Sequence, residues 1–252
     1  MSNFSIITVV KNSKENIKKT IESVLCQKYT NYEYIILDGY SIDGTTKIIK
    51  DTIKNNKKVK YLRVKDDGLY DALNKCILLC KNKYVGILHS GDLYKNPYIL
   101  KTVSKKFNSN LDFISGNILY YNKNFKIFRR WNIKYTMHTL FNFIRIPHTG
   151  LFLKKKIFNE IGLFNKKYKI SADFDFIIRM LFKKKYKYAH LNEFIVLMKY
   201  GGISSNKNFI LRMKEDIKIL YEHFGIRCFA IYFMKLLIKV KGFQLSNKFY
   251  FK

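Results

Sequence analysis

Polar residues able to do chemistry gather at three points in the first hundred positions. Thr8 is followed by Lys11-Asn12, Asp38 heads the run Asp38-Gly39-Tyr40-Ser41-Ile42-Asp43-Gly44-Thr45, and Asp92 closes His89-Ser90-Gly91-Asp92. A carboxylate such as Asp38 can accept hydrogen bonds from the donors of a nucleobase or a ribose. Gly39 and Gly44 allow positive φ and close backbone approach, and Asp43 or Thr45 can cap a following helix. A capped turn between a strand and a helix is the plainer alternative for this run. Cys76 and Cys80 share a helix face, but no His or Cys lies nearby to complete a zinc site.

The elements that must position these residues alternate. Phe4–Val10, Tyr34–Leu37, Val59–Val64 and Tyr84–Leu88 are short, apolar and β-rich, as buried strands are. Between them, Ile17, Ile21, Val24 and Leu25 recur at helical spacing after the cap candidate Ser13. Thr45–Ile53 and Leu69–Leu79 are further helical runs. Alternation of this kind predicts a parallel α/β sheet with right-handed crossovers, and in such sheets ligands sit at the carboxyl ends of the strands. The polar residues lie at those ends, so a nucleotide crevice is expected there.

After Pro97 the pattern changes. Leu111–Ser115, Ile118–Tyr121 and Phe125–Arg129 are expected to be strands of a meander. Helices are expected at Lys155–Ile161, Phe174–Phe182, Asn208–His223 and Cys228–Lys239. With no repeat and no Pro/Gly/Ser linker, the chain is read as one domain over residues 1–205 with a helical extension over 206–252. Residues 1–100 are expected to form the nucleotide half, and 101–205 a second half. The segment Tyr120–Pro147 carries no readable motif.

The chain of 252 residues carries Lys+Arg 48 against Asp+Glu 18, a formal net charge of +30. Residues 1–100 hold 17 basic and 10 acidic residues, whereas residues 101–252 hold 31 and 8. The charge suggests polyanions, but 41 of the basic residues are Lys and only 7 are Arg, and no Arg-rich stripe or recognition motif is present. Arg is the residue that reads phosphate and base edges, so nucleic acid is not the expected partner. Four cysteines in a chain this long form no disulfide framework and fit buried apolar positions in a reducing compartment. The N-terminus has no basic residue before Lys11, so a secretory signal is not expected. The apolar stretch Ile226–Val240 is interrupted by Arg227, Lys235 and Lys239, whereas a bilayer span needs about 20 apolar residues. The expected place is the cytoplasm, with the inner membrane face as an option.

Several segments, taken in order, carry a family likeness. Ser5-Ile6-Ile7-Thr8-Val9-Val10-Lys11-Asn12, Ser23-Val24-Leu25-Cys26-Gln27, Asp38–Thr45 and Asp67-Gly68-Leu69-Tyr70-Asp71-Ala72-Leu73-Asn74-Lys75 resemble the inverting glycosyltransferases of family 2. The likeness continues through His89-Ser90-Gly91-Asp92, His148 with Phe152, Ile161-Gly162-Leu163-Phe164, Ala172-Asp173-Phe174-Asp175 and Gly201-Gly202-Ile203-Ser204. Each piece is weak alone, but the ordered set over residues 4–205 is specific.

The resemblance implies a GT-A fold, a Rossmann-like mixed sheet flanked by helices. It also implies transfer of a sugar from a nucleoside diphosphate donor, a UDP-sugar first, to a cell-envelope polysaccharide or lipid-linked acceptor such as a lipopolysaccharide intermediate. It places Thr8, Val9, Lys11, Asp38, Tyr70, Asp71, Ser90, Gly91 and His148 on the nucleotide sugar. Asp92 stands at the metal motif, where a hard oxygen suits Mn²⁺ or Mg²⁺ bridging a diphosphate; the alternative is a turn cap. The family often carries D-x-D-D there, and this chain resembles the N-[AS]-G-D variant with His89 in place of Asn. Asp173 aligns with the general base, which removes the acceptor's proton during an inverting displacement. Side chains two apart on a helix point about 200° from each other. Asp175 is therefore expected to pair with Arg179 instead.

Ile226–Lys241 sets Phe229, Ile231, Tyr232, Phe233, Leu236, Leu237 and Val240 among Arg227, Lys235, Lys239 and Lys241. A basic amphipathic helix of this kind suits an anionic membrane surface, and packing on the domain or on a second subunit is the alternative. Two other functions are weighed against glycosyl transfer: a basic nucleic-acid-binding protein, and a family member without catalysis, suggested by the single carboxylate of the metal motif.

Overall fold

The computed structural model describes residues 3–107, 110–132, 146–201 and 208–247. Gly202-Ile203-Ser204 and residues 133–145 of the segment without a motif lie outside the described residues. The elements run β1 (Phe4–Val10), α1 (Ile17–Leu25), β2 (Tyr32–Asp38), α2 (Thr45–Ile53), β3 (Val59–Arg63), α3 (Leu69–Leu79), β4 (Tyr84–Ile87), β5 (Leu93–Tyr94) and α4 (Ile99–Lys106). They continue as β6 (Phe113–Tyr121), β7 (Ile127–Trp131), β8 (Leu151–Lys154), α5 (Lys156–Ile161), α6 (Ala172–Phe182), β9 (Tyr188–Lys199), α7 (Phe209–Phe224) and α8 (Cys228–Asn247).

One nine-stranded sheet has the order β3-β2-β1-β4-β8-β6-β9-β5, with β7 paired to β6. Its first four strands are parallel, as the βα alternation predicts, with Val10 opposite Asp38 and Asp38 opposite Arg63. From β4 onward the sheet becomes mixed: β8 is antiparallel to β4 and β6, while β9 is parallel to β6. All seven residues of β1 are buried, so both faces of the sheet are covered. Ile7 and Val9 enter a core shared with α3, α5 and α6, whereas Phe4, Ile6 and Val10 enter one shared with α1 and α4. On α1 the buried positions Ile17, Thr20, Ile21 and Val24 follow the helical period.

Three expectations are corrected. Leu111–Ser115 and Ile118–Tyr121 are not separate strands but one, β6, running through Gly116-Asn117. The pair reads locally as a turn, yet Gly116 is needed for close packing: a Cβ there would lie 2.5 Å from Ile195 Cδ1. The pairing of β6 with β9 shifts register at this point, a β-bulge. The long strand β9 carries no clean alternation, since Asn192 and Glu193 are exposed, and the sequence reading leaves it unassigned. Ser13 does not cap α1 with its side chain; its backbone carbonyl receives the amides of Asn16 and Ile17. Cys26 is exposed, whereas Cys76, Cys80 and Cys228 are buried as expected.

The C-terminal helices close one face of the core. Ile219 and Leu220 of α7 and Cys228 and Ile231 of α8 join the same buried cluster as Phe176 and Ile177 of α6. No helix among the described residues is long and apolar enough to cross a membrane.

Candidate active site

Four elements converge on one polar cluster. Asp173 lies in the first turn of α6, Tyr70 in the first turn of α3, His89 just beyond β4, and His148 in the 3-10 turn His148–Gly150 that enters β8. His148 Nδ1 is 2.7 Å from Asp173 Oδ2, and His148 Nε2 is 2.8 Å from His89 Nε2. The Tyr70 hydroxyl lies 2.9 Å from Asp173 Oδ1 and 2.6 Å from the Ile170 carbonyl oxygen. About a quarter of the His148 and Asp173 side chains is exposed, at 24% and 23%, so the pair is reachable from solvent.

The partners fix the protons. Burial pushes His148 down, but the Asp173 carboxylate beside it prevails and holds it above its ordinary value. Burial pushes Asp173 up, yet the His148 cation and the Tyr70 hydroxyl bring it down to about 2. Its place in the first turn of a helix favours the anion as well. Burial and then the neighbouring His148 charge lower His89 to about 3, so His89 is the neutral ring that accepts the His148 Nε2–H.

Asp92 is 4% exposed. Its Oδ1 accepts the Lys199 backbone N–H at 3.1 Å, and its Oδ2 has no hydrogen-bond partner among the described residues. Burial lifts its carboxyl to about 7. A buried carboxylate oxygen without a donor is costly unless a cation meets it. The orphan oxygen therefore fits a divalent ion that draws its remaining ligands from water and a diphosphate. Among the described residues no group of three His, Cys, Asp or Glu could enclose a metal by itself. Gly91 reaches its turn with φ 100, donating to Thr20 Oγ1 and accepting from the Tyr121 hydroxyl.

The other sequence candidates have the following partners in the structure. Asp38 is fully buried: Oδ1 accepts Ser41 N–H at 2.9 Å, and Oδ2 accepts the Thr46 and Tyr61 hydroxyls at 2.5 and 3.2 Å. Burial raises its carboxyl, but these donors outweigh it and hold the group below the usual range. Asp38 thus shapes the loop after β2 through both of its oxygens. Thr8 is also fully buried, donating to the Leu88 carbonyl at 2.7 Å and accepting from Tyr34, so it ties β1 to the end of β4. Val9 is in the core, Lys11 is exposed, and Ser90 donates to Ser13. Asp71 is held between Lys75 and Lys166, which bring it to about 2, and it also receives the Asp67 amide. Tyr70 meets Asp173 and the Ile170 carbonyl. Asp175 pairs with Arg179 at 2.9 Å as expected, and also with His223.

Comparison with known proteins fits this geometry. Residues 5–189 match the family described as Glycosyl transferase family 2. The chain belongs to glycosyltransferase family 2. A relative from Mycobacterium bovis (strain BCG / Pasteur 1173P2), named PGL/p-HBAD biosynthesis glycosyltransferase, is 26% identical over 229 residues, which is 86% of each chain. Among solved structures, S. aureus TarS 1-349 superposes with a TM-score of 0.71 at 17% identity, covering 92% of this chain and 71% of that one. The same fragment has been solved with UDP-GlcNAc. The mannosyltransferase PcManGT from Pyrobaculum calidifontis, solved with GDP-Man and Mn²⁺, gives a TM-score of 0.67 at 14% identity, covering 88% and 64%. This family 2 glycosyltransferase therefore has the GT-A fold, with α7 and α8 following the residues that the family model matches.

Two groups at the site went unrecognised in the sequence of this family 2 member. The sequence shows His89 only as a departure from Asn, and nothing local announces its pairing with a residue 59 positions away. Glu215 occupies a core-facing position of α7 beside Asp216, Ile219 and Leu220. An acid at an apolar-periodic position of a Lys-rich helix is a signal that sequence reasoning can use.

Proposed function

We propose that this chain is an inverting glycosyltransferase that moves a sugar from a nucleoside diphosphate donor, a UDP-sugar first, onto a hydroxyl of a cell-envelope glycan or lipid-linked saccharide. The observation that carries this reading is the partly exposed Asp173, oriented by His148 on one oxygen and Tyr70 on the other. The acceptor oxygen forms a bond to the anomeric carbon while the bond to the diphosphate breaks on the opposite face. The acceptor's proton passes to the Asp173 carboxylate, and the nucleoside diphosphate leaves. Asp92 would hold Mn²⁺ or Mg²⁺ through Oδ2, and such an ion supplies charge neutralisation to the leaving diphosphate.

Support for the donor class comes from the TarS complex with UDP-GlcNAc, and GDP-mannose is the competing donor suggested by PcManGT. The mycobacterial relative's name supports an envelope acceptor. We also propose an anionic membrane surface as the place of work, on the cytoplasmic face. On α8, Cys228 and Ile231 are buried, while Phe229, Phe233, Leu236 and Leu237 on the opposite side are exposed. A helix apolar all round needs a second cover. The basic excess of residues 101–252 favours anionic lipid over a second copy carrying the same charge.

The test is a calorimetric and thermal-shift screen of UDP- and GDP-sugars with and without Mn²⁺. One nucleotide class is expected to bind more tightly with the ion, and to be turned over with inversion. Retention at the anomeric carbon, or no binding of any nucleotide sugar, would overturn the proposal.

A further inference from the structure

We propose that Glu215 of α7 is a positioning residue for Asp173, acting through the backbone that leads into α6. This rests on reading Asp173 as the general base. The Glu215 carboxylate is buried and collects three successive amides. Oε1 accepts the Lys169 N–H at 2.7 Å, and Oε2 accepts those of Ile170 and Ser171 at 3.0 and 2.9 Å. Hydrogen bonds from neutral donors to an ion are stronger than neutral pairs, and three of them fix the direction of the peptide planes.

Those planes lead directly to the site. The Ser171 carbonyl accepts the Asp175 amide and so begins the first turn of α6, in which Asp173 sits. Ser171 makes no side-chain cap of its own, leaving Glu215 as the group that orders this helix start. The Ile170 carbonyl receives the Tyr70 hydroxyl, which also meets Asp173. One carboxylate thus sets both the backbone carrying the base and the carbonyl holding the base's tyrosine.

The same two helices grip the segment on either side. Glu222 of α7 accepts from Lys167 and from the Tyr168 hydroxyl at 2.6 and 2.7 Å. His223 meets Asp175 at 3.0 Å, and Lys235 of α8 stands 3.5 Å over the Phe174 ring while paired to Asp216. The family match ends at residue 189, and α7 begins at Phe209. Helices that follow the residues matched by the family model therefore pack against the segment that carries Asp173.

The choice of Glu is chemical. Glutamine has the same shape, but its amide would point N–H toward one of three N–H donors, breaking that bond and repelling the strand. The experiment compares Glu215→Gln with Ile219→Ala, which hollows the same helix and leaves the carboxylate in place. Turnover is read as UDP released from UDP-GlcNAc or GDP from GDP-mannose. Binding of UDP with Mn²⁺ is read by calorimetry, and amide exchange of the first turn of α6 by mass spectrometry. For Glu215→Gln, kcat is expected to fall about 10- to 100-fold, as for a displaced catalytic group, with UDP affinity unchanged. Exchange in the first turn of α6 is expected to rise. For Ile219→Ala, Tm falls while kcat stays near wild type. Unchanged kcat in Glu215→Gln, or equal loss in Ile219→Ala, overturns the proposal. If wild type releases no nucleotide from either donor, the glycosyl-transfer reading is at fault. The exchange arm then decides alone, and unchanged exchange in Glu215→Gln rejects the positioning role.

Discussion

His148 Nδ1 lies 2.7 Å from Asp173 Oδ2, so the candidate base is one half of an ion pair. The pair explains how a carboxylate in a largely enclosed site stays charged: burial alone would protonate it, and the imidazolium reverses that. It also makes base strength depend on the histidine's proton.

Asp173→Asn keeps the shape of the side chain and removes the proton acceptor. Transfer is expected to fall by about 10²- to 10⁴-fold, the usual range for loss of a general base. Donor binding should stay within a few-fold. Rates from released nucleoside diphosphate and affinities from calorimetry measure the two separately. Undiminished turnover would sink the assignment of Asp173.

The pH dependence follows from the signs. Below the raised value of His148 the cation keeps Asp173 near 2, a weak base. As pH rises through that value, above the ordinary 6.5, the cation is lost and Asp173 gains basicity. The wild-type rate should therefore climb along a limb above pH 6.5. His148→Gln has no such cation, and its limb should move down toward the ordinary carboxylate range. Stability gives a second readout. Asp173 contributes above 3.8 and loses its contribution as pH falls toward 2. His148 contributes fully below 6.5 and loses it as pH rises through its raised value. The Tm deficit of His148→Gln should accordingly be greatest between pH 3.8 and 6.5. A deficit constant across pH would show that the two groups do not form an ion pair.

Asp92 has the opposite sign. Its carboxyl is raised by burial to about 7, so its favourable neutral form is complete below 3.8 and is lost as pH climbs through 7. Asp92→Asn should melt with wild type at low pH, pull ahead as pH rises, and keep a Tm lead of roughly 5 °C above pH 7. Mn²⁺ with UDP should close that gap by stabilising wild type alone, and Asp92→Asn should lose the metal dependence of UDP binding. Equal metal dependence in both proteins would move the ion away from Asp92.

The parallel half of the fold was legible because it rests on local signals. The limits of Phe4–Val10, Thr45–Ile53 and Leu69–Leu79 are those of β1, α2 and α3. Each has a continuous apolar run or a helical period bounded by turn residues. β9 was not legible, since its position between β6 and β5 is set by partners 75 or more residues away. The site divides the same way. Asp173, Asp92, His148 and Tyr70 could be picked out from short motifs, but the pairing of His148 and Tyr70 with Asp173 could not. His148 and Tyr70 reach Asp173, and His89 reaches His148, only through the fold, and the Tyr70 hydroxyl closes a contact across 103 positions. Asp38 shows the converse: a motif acid whose local turn chemistry, through Ser41 and Thr46, takes up its oxygens.

The outer face of α8 gives the last prediction. Phe229 and Phe233 are 61% and 62% exposed, on the side opposite the buried Cys228 and Ile231, and Ile226 in the turn before the helix is 77% exposed. If this stripe enters the lipid interface, vesicles rich in anionic phospholipid should bind the protein, and neutral phosphatidylcholine vesicles should bind it far less. Salt should weaken the binding, because the attraction between exposed charges is screened. Withdrawing a phenylalanine from an apolar environment costs about 1.5 kcal/mol or more. The double variant Phe229→Ser with Phe233→Ser should therefore bind anionic vesicles about 100-fold more weakly by sedimentation. Neither side chain supports the buried face, so its Tm should stay close to wild type. Unchanged vesicle binding in the double variant would reject the lipid role. A concentration-dependent dimer in wild type that the double variant abolishes would assign the stripe to a second copy, despite the like charges that such a contact brings together.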